Sequence, residues 1–154
     1  MALNRRAAAR YGGVARPLSG IAREHLATQQ LEVASPVLAH RLLSQAVREE
    51  LNPAHPVATA RSYGAAVREL LRVQADLATL TADQAAQVRR VARVTRQYRR
   101  LLRERGLVDG AEVLAVAAHT IAPLGRLTLL GYVRLTQDEL QLLDALAGDC
   151  RRLQ

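Results

Sequence analysis

The sequence contains no lysine, no phenylalanine and no tryptophan, and it has one cysteine, Cys150. Each shortage removes a class of chemistry. Without lysine there can be no Schiff base, no phosphate-gripping lysine of a P-loop and no lysine of the usual nuclease motif. With one thiol there is no disulfide framework. The four tyrosines are the only aromatic residues, so stacking of bases on aromatic platforms has little to draw on. Long apolar runs are missing too. No stretch approaches the roughly 20 apolar residues that span a bilayer, and the basic, Ala-rich Met1–Gly13 lacks the continuous apolar centre of a signal peptide. A cytoplasmic location without membrane contact is the expectation.

What remains is Ala, Leu, Val and Arg. The chain has 154 residues and is 49% hydrophobic, enough for a buried core and too apolar for a disordered tail. We expect a single helical domain over residues 1–154, with a polar, frayed end at 149–154. All 22 basic residues are arginine against 14 acids, a net charge of +8. A GC-rich codon bias would produce this as readily as selection. The chemical consequence is the same: arginine stays charged and forks onto phosphate or carboxylate.

Apolar spacing and turn residues divide the chain into helices. Asn4–Tyr11 is a short helix stopped by Gly12-Gly13, and Val14–Leu18 is a short extended piece. Ser19 caps a helix to about Leu31. Ser35-Pro36 opens a helix to about Leu51, with Leu38, Leu42, Val47 and Leu51 on or near one face. A further helix spans about Ala58 to Ala78, with Tyr63, Val67, Leu70, Leu71 and Leu77 inward. Thr81–Gln84 has the form of a capping box and starts the longest helix, which ends at Gly106. Asp109–Glu112 is a weaker box for a helix to about His119. Arg126–Tyr132 alternates like a strand. Thr136–Glu139 is a third box, for a helix to about Ala147. The fold class is thus mainly α, a helical bundle with one or two short strands near 14–18 and 126–132.

The longest helix carries the charge. At 100° per residue, Val88, Val91, Val94, Thr95, Tyr98, Leu101 and Leu102 fall on one side. Arg89, Arg90, Arg93, Arg96, Arg99, Arg100 and Arg103 fall on the other, interrupted only by Gln97 and Glu104. Like charges at i and i+4 cost about 0.2–0.5 kcal/mol per pair on an isolated helix. Three arrangements relieve that cost: solvation with partial neutralisation by acids such as Glu69, Asp76 or Asp83, a nucleic-acid backbone, or an acidic protein surface. For nucleic acid, binding would be salt-sensitive and independent of sequence.

No catalytic or metal-binding constellation is present. His25, His40, His55 and His119 lack ligand spacing, and Cys150 lacks an evident base. Ser19 and Ser35 are in cap positions. Asp138, Glu139 and Asp144 share the last helix, where Glu139 has a capping role. Neither G-x-x-x-x-G-K-[ST], G-x-G-x-x-G nor G-x-S-x-G occurs. We expect a non-enzyme with no cofactor and no metal.

One segment points further. Tyr98-Arg-Arg-Leu-Leu-Arg-Glu-Arg-Gly-Leu-Val-Asp109 resembles the Y-x-x-x-L-x-x-x-G-x-x-D segment of superfamily I DNA helicases of the UvrD/RecB type. It is most similar to the degenerate B subunit of bacterial AddAB helicase–nuclease complexes. Leu135–Leu146 is similar to the stretch that follows that family's Walker B strand. Val14–Arg23 and Ser35–Leu43 resemble segments before and within its 1B subdomain. The resemblance implies a mostly 1B-like helical fold, a link to DNA repair or recombination, and DNA contact through Ser19 and arginines of the 1B-like helices. It also implies no motor: the matching Leu129-Leu130-Gly131-Tyr132 has no carboxylate to hold Mg²⁺, and Walker A, the second RecA-like half and the nuclease domain are missing. On that footing the chain is a fragment, a truncated gene product or a shrunken paralogue. The competing expectation is a helical module that docks a partner protein or a second copy of itself, without nucleic acid.

Overall fold

The structure, a computed structural model, describes residues 16–74, 77, 85–124, 127–129 and 134–148. The predicted helix at 4–11, the Thr81–Gln84 box and the tail at 149–154 lie outside these residues. Within them the protein is mainly helical, with two very short strands.

Pro17 fixes the first helix. Its φ of −68° and ψ of 146° put it at the cap position, and its carbonyl accepts from Gly20 and Ile21 N–H. Helix α1 therefore runs Leu18–Thr28. Ser19 lies inside the first turn rather than at the cap, and Leu18 is helical rather than extended. Strand β1, Glu32–Val33, follows. Ser35 then caps α2, Pro36–Leu51, its hydroxyl accepting from Leu38 N–H at 3.3 Å with Pro36 at the first helical position. Helix α3 spans Pro56–Arg72, starting on its own proline. It stops short of the predicted Ala78 because Gln74 turns left-handed, at φ +50°.

Helix α4, Ala86–Arg103, is the arginine helix. Ala85 is extended, at φ −53° and ψ 142°, so the helix does not reach back to the predicted residue 82. Gly106, at φ +65°, turns the chain into β2, Leu107–Val108. Helix α5 is short, Val113–Ala118, and α6 covers Gln137–Ala147. Its capping box forms as expected: the Glu139 carboxylate accepts from the Thr136 backbone N–H at 2.9 Å.

The strands do not fall where alternation placed them. Residues 127–129 have irregular backbone, and Leu127 packs on a core without a strand partner. Residues 126 and 130–132 lie outside the described set. The pairing that does form is parallel, Glu32 opposite Leu107 and Val33 opposite Val108. Glu32 N–H donates to Gly106 O at 3.0 Å, and Ala34 N–H to Val108 O at 2.9 Å.

This two-stranded ribbon divides two cores. Successive strand residues face opposite ways. Ala34 and Leu107 face a first core of α2, α3 and α4, with Leu42, Leu43, Val47, Val67, Leu71, Val94 and Leu102 buried in it. Val33 and Val108 face a second core, formed by α1, α5 and α6 around Leu26, Val113, Leu142 and Leu146. The helices α2–α4 are thus an excursion between two paired strands, and the second core closes across its base.

Gly106 holds the corner at which the excursion returns. A Cβ there would lie 3.5 Å from Gln30 O, so space is adequate and the cost comes from the backbone. Gly106→Ala is expected to lose about 1–2 kcal/mol of stability, the left-handed penalty of an L-residue, measured as a drop in unfolding free energy by urea titration.

Candidate nucleic-acid interface

The inner side of α4 behaves as its periodicity implies. Val91, Val94, Thr95, Tyr98, Leu101 and Leu102 are buried, and Thr95 Oγ1 donates to Val91 O at 2.8 Å, so its hydroxyl costs nothing unpaired. Val88 is half-buried.

The outer side is less uniform than the angular plot. Arg89, Arg90, Arg93, Arg96, Arg100 and Arg103 are exposed. Arg99 is not: its side chain is 16% exposed, and its Nε lies 3.1 Å from Glu112 Oε2. It sits at the border of the two faces, where the start of α5 folds over it. Arg99 therefore belongs to the interior rather than to an accessible basic surface. Its Nη2 is buried without a hydrogen-bond partner.

Among the described residues, Arg93 and Arg100 meet acids of α2 rather than the Glu69 that the sequence suggested. Arg93 Nε reaches Glu50 Oε2 at 3.0 Å, and its Nη2 reaches Glu50 O at 3.0 Å. Arg100 lies 3.9 Å from Glu49, 3.6 Å from Glu104 and 3.0 Å from the Gln97 amide oxygen. Gln97 also donates to Glu49. Arg96 donates to Leu77 O at 3.0 Å. Arg89 has a partner as well, whereas Arg90 and Arg103 form no ion pair or hydrogen bond among the described residues. Glu69 instead pairs with Arg72 within α3, at 2.6 Å, and Asp76 and Asp83 lie outside the described set. The Gln45 amide, with Gln97, Arg100 and Arg105 adding to it, holds the Glu49 carboxyl below the usual range despite a small burial penalty.

Such pairs do not neutralise the face. The Arg93 and Arg100 side chains remain 56% and 61% exposed. Exposed ion pairs contribute about 0–1 kcal/mol each and rearrange readily. Among the described residues, six exposed arginines on α4 stand against three carboxylates within ion-pair distance, Glu49, Glu50 and Glu104, which leaves a cationic excess along that part of the helix.

A buried polar cluster lies under this helix. Tyr98 donates to Asp109 Oδ2 at 2.5 Å. Asp109 Oδ1 accepts from Ala111 N–H at 2.8 Å, and its carbonyl accepts from Glu112 N–H at 3.0 Å. The predicted box over 109–112 is therefore replaced by a turn centred on Asp109, because the Glu112 carboxylate is drawn to Arg99. Burial, reinforced by the hydrogen bond and charge of Asp109, pushes the Tyr98 hydroxyl far above its ordinary pKa. Burial also raises Glu112, outweighing the opposing pull of Arg99. Tyr98, Leu102, Gly106 and Asp109 are thus a structural corner: donor, core anchor, left-handed turn and acceptor.

The histidines are dispersed. His25 Nε2 is 2.8 Å from Thr120 Oγ1, and His119 Nδ1 is 2.6 Å from Ala115 O. Among the described residues no group of three or more His, Cys, Asp or Glu could hold a metal ion, and no helix is long and apolar enough to cross a membrane. Sequence reasoning missed Glu49 and Glu50, and also Arg41, Arg48 and Arg105. The i, i+7 spacing of Arg41 and Arg48 on one helix was the available signal for the last group.

Compared with known proteins, the chain matches no family model, no curated protein and no solved structure.

Two outcomes follow from the buried cluster. Tyr98→Phe leaves the Asp109 carboxylate without its donor and is expected to cost about 1–3 kcal/mol, read from urea unfolding. For Glu112 the raised folded pKa gives a stability contribution that is present below the ordinary value of 4.5 and lost as pH rises through the folded value. The stability of the wild type relative to Glu112→Gln is therefore expected to increase as pH falls from 7 toward about 4. A difference that shrinks on acidification would mean that the Arg99 charge, not burial, controls the group.

Proposed function

We propose that this protein is a non-catalytic, helicase-like DNA-binding domain that contacts phosphates through the outer arginines of α4. The cationic excess of that helix carries the reading: Arg90 and Arg103 have no partner among the described residues, and Arg93 and Arg100 are more than half exposed. Arg89 and Arg96 extend the row, while Arg99 contributes through the fold rather than by contact. Six guanidinium groups over about four turns suit a phosphate backbone, whose binding is driven by counterion release. The outer face has no aromatic side chain, so sequence-independent binding is the expected mode. The order of segments resembling the B subunit of AddAB complexes supports a place in DNA repair or recombination, in the cytoplasm, without a cofactor.

The competing reading is a helical module for protein–protein contact or self-association. The contacts of Arg93 and Arg100 with Glu50 and Glu49 favour it, because they show these arginines already engaging protein carboxylates.

Fluorescence anisotropy on a single-stranded 20-mer and its duplex, titrated over salt, separates the two. The expected result is binding at low salt that falls steeply as salt rises. Arg90→Gln/Arg103→Gln should reduce the slope of log K against log salt by about 1.4 on the single strand and about 1.8 on the duplex. Binding without salt dependence, or no binding at 20 mM salt, overturns the DNA reading. Concentration-dependent dimerisation in sedimentation would then support the second.

A further inference from the structure

A second basic site lies away from the row just described. Between α2 and the chain after α4 is an open cleft of about 480 Å³. Leu38 and Leu42 line it, and Arg41, Arg48 and Arg105 bring three guanidinium groups to it against one carboxylate, Glu49. That volume is within the range of small-molecule sites, roughly 300–1,000 Å³.

The charge balance in the cleft is uneven for a specific reason. Glu49 is shared with partners on two sides. Gln45 donates to one of its oxygens at 2.8 Å, while Gln97 and Arg100 engage the other. Arg105 is anchored by its donation to Leu101 O at 2.8 Å, which holds its head group at the cleft, and its Nη1 is also 4.0 Å from Glu104 Oε2 at the edge. Arg41 and Arg48 are exposed and form no ion pair or hydrogen bond among the described residues. They stand seven residues apart on α2, about 10 Å along the axis and nearly in phase. Both flexible side chains can therefore bear on one anion between them. Three like charges converging on one concavity concentrate a positive potential there.

We infer that this cleft is a phosphate-binding site, formed by Arg41, Arg48 and Arg105 and suited to a compact polyphosphate anion. Arginine forks match phosphate oxygens bidentately. The site does not rest on the α4 reading: it shares none of the arginines named there.

The test uses the full chain and pyrophosphate as the probe, by isothermal titration calorimetry at 20 mM and 150 mM salt. Saturable one-site binding that weakens with salt is expected. Arg41→Gln/Arg48→Gln should weaken it at least about tenfold, with circular dichroism and thermal unfolding unchanged, because neither side chain supports a neighbour. Arg90→Gln/Arg103→Gln should leave it unchanged. No binding by the wild type at low salt overturns the proposal, as does equal binding by the Arg41/Arg48 variant. Loss on changing Arg90 and Arg103 also overturns it, by moving the site to α4. A single-stranded 20-mer then identifies the source. If it displaces pyrophosphate from the Arg90→Gln/Arg103→Gln protein, the cleft takes a nucleic-acid phosphate; if it does not, the cleft takes a free phosphate compound. Both results support the site.

Discussion

The hydrogen bond from Tyr98 to Asp109 is the contact on which the rest of the arrangement depends. Both groups are buried, 1% and 4% exposed, and burying either alone would cost more than the bond returns. The pairing locks α4 to the chain that follows it. Asp109 then spends its other oxygen on Ala111 N–H and its carbonyl on Glu112 N–H. With that turn set, Gly106 lies at the corner, β2 aligns with β1, and Glu112 is carried under Arg99. Loss of the pair would loosen the strand register and the start of α5 together.

The helical skeleton was legible because its signals are local. Ser35-Pro36 and Thr136–Glu139 are capping chemistry read within four residues, and both helices begin there. Gly106 as the turn that follows α4 is equally local. At two caps a local signal lost to a competitor. Ser19 is a good cap, but Pro17 took the position two residues earlier. Asp109–Glu112 has the form of a box, but Glu112 found a buried arginine. The strands were missed because a pair of two-residue strands leaves no alternation to read, and their partnership joins residues distant in sequence. Leu127 and Leu129 alternate convincingly, but nothing among the described residues offers them an edge.

The arginine face shows the limit of a helical wheel. A wheel sorts residues by angle, yet which arginines reach solvent depends on what covers the border. Arg99 is covered by Glu112, and Arg93 is bridged to Glu50 from another helix. Glu50 lies 43 positions before Arg93 and Glu112 lies 13 positions after Arg99, so the helical periodicity of α4 announces neither. The surviving positive charge is distributed over two surfaces, the outer row of α4 and the cleft beside α2, with Glu49 between them. A phosphate polymer and a compact phosphate anion make different demands on such surfaces, one for length and one for concavity.

The parallel ribbon has a consequence for how the chain reaches this state. Val33 and Val108 are neighbours only after α2, α3 and α4 have been traversed. Closing so large a loop is costly before the contacts that reward it exist, whereas the contacts within α2–α4 are of shorter range. The helical excursion can therefore assemble first and shrink the effective distance between the strands. The ribbon then forms late, and with it the wall on which the second core closes. By the same geometry the excursion begins and ends at one spot, so changes in its interior length need not move the two strands apart. That is the property of an insertable cassette: its contents can vary while its base stays fixed.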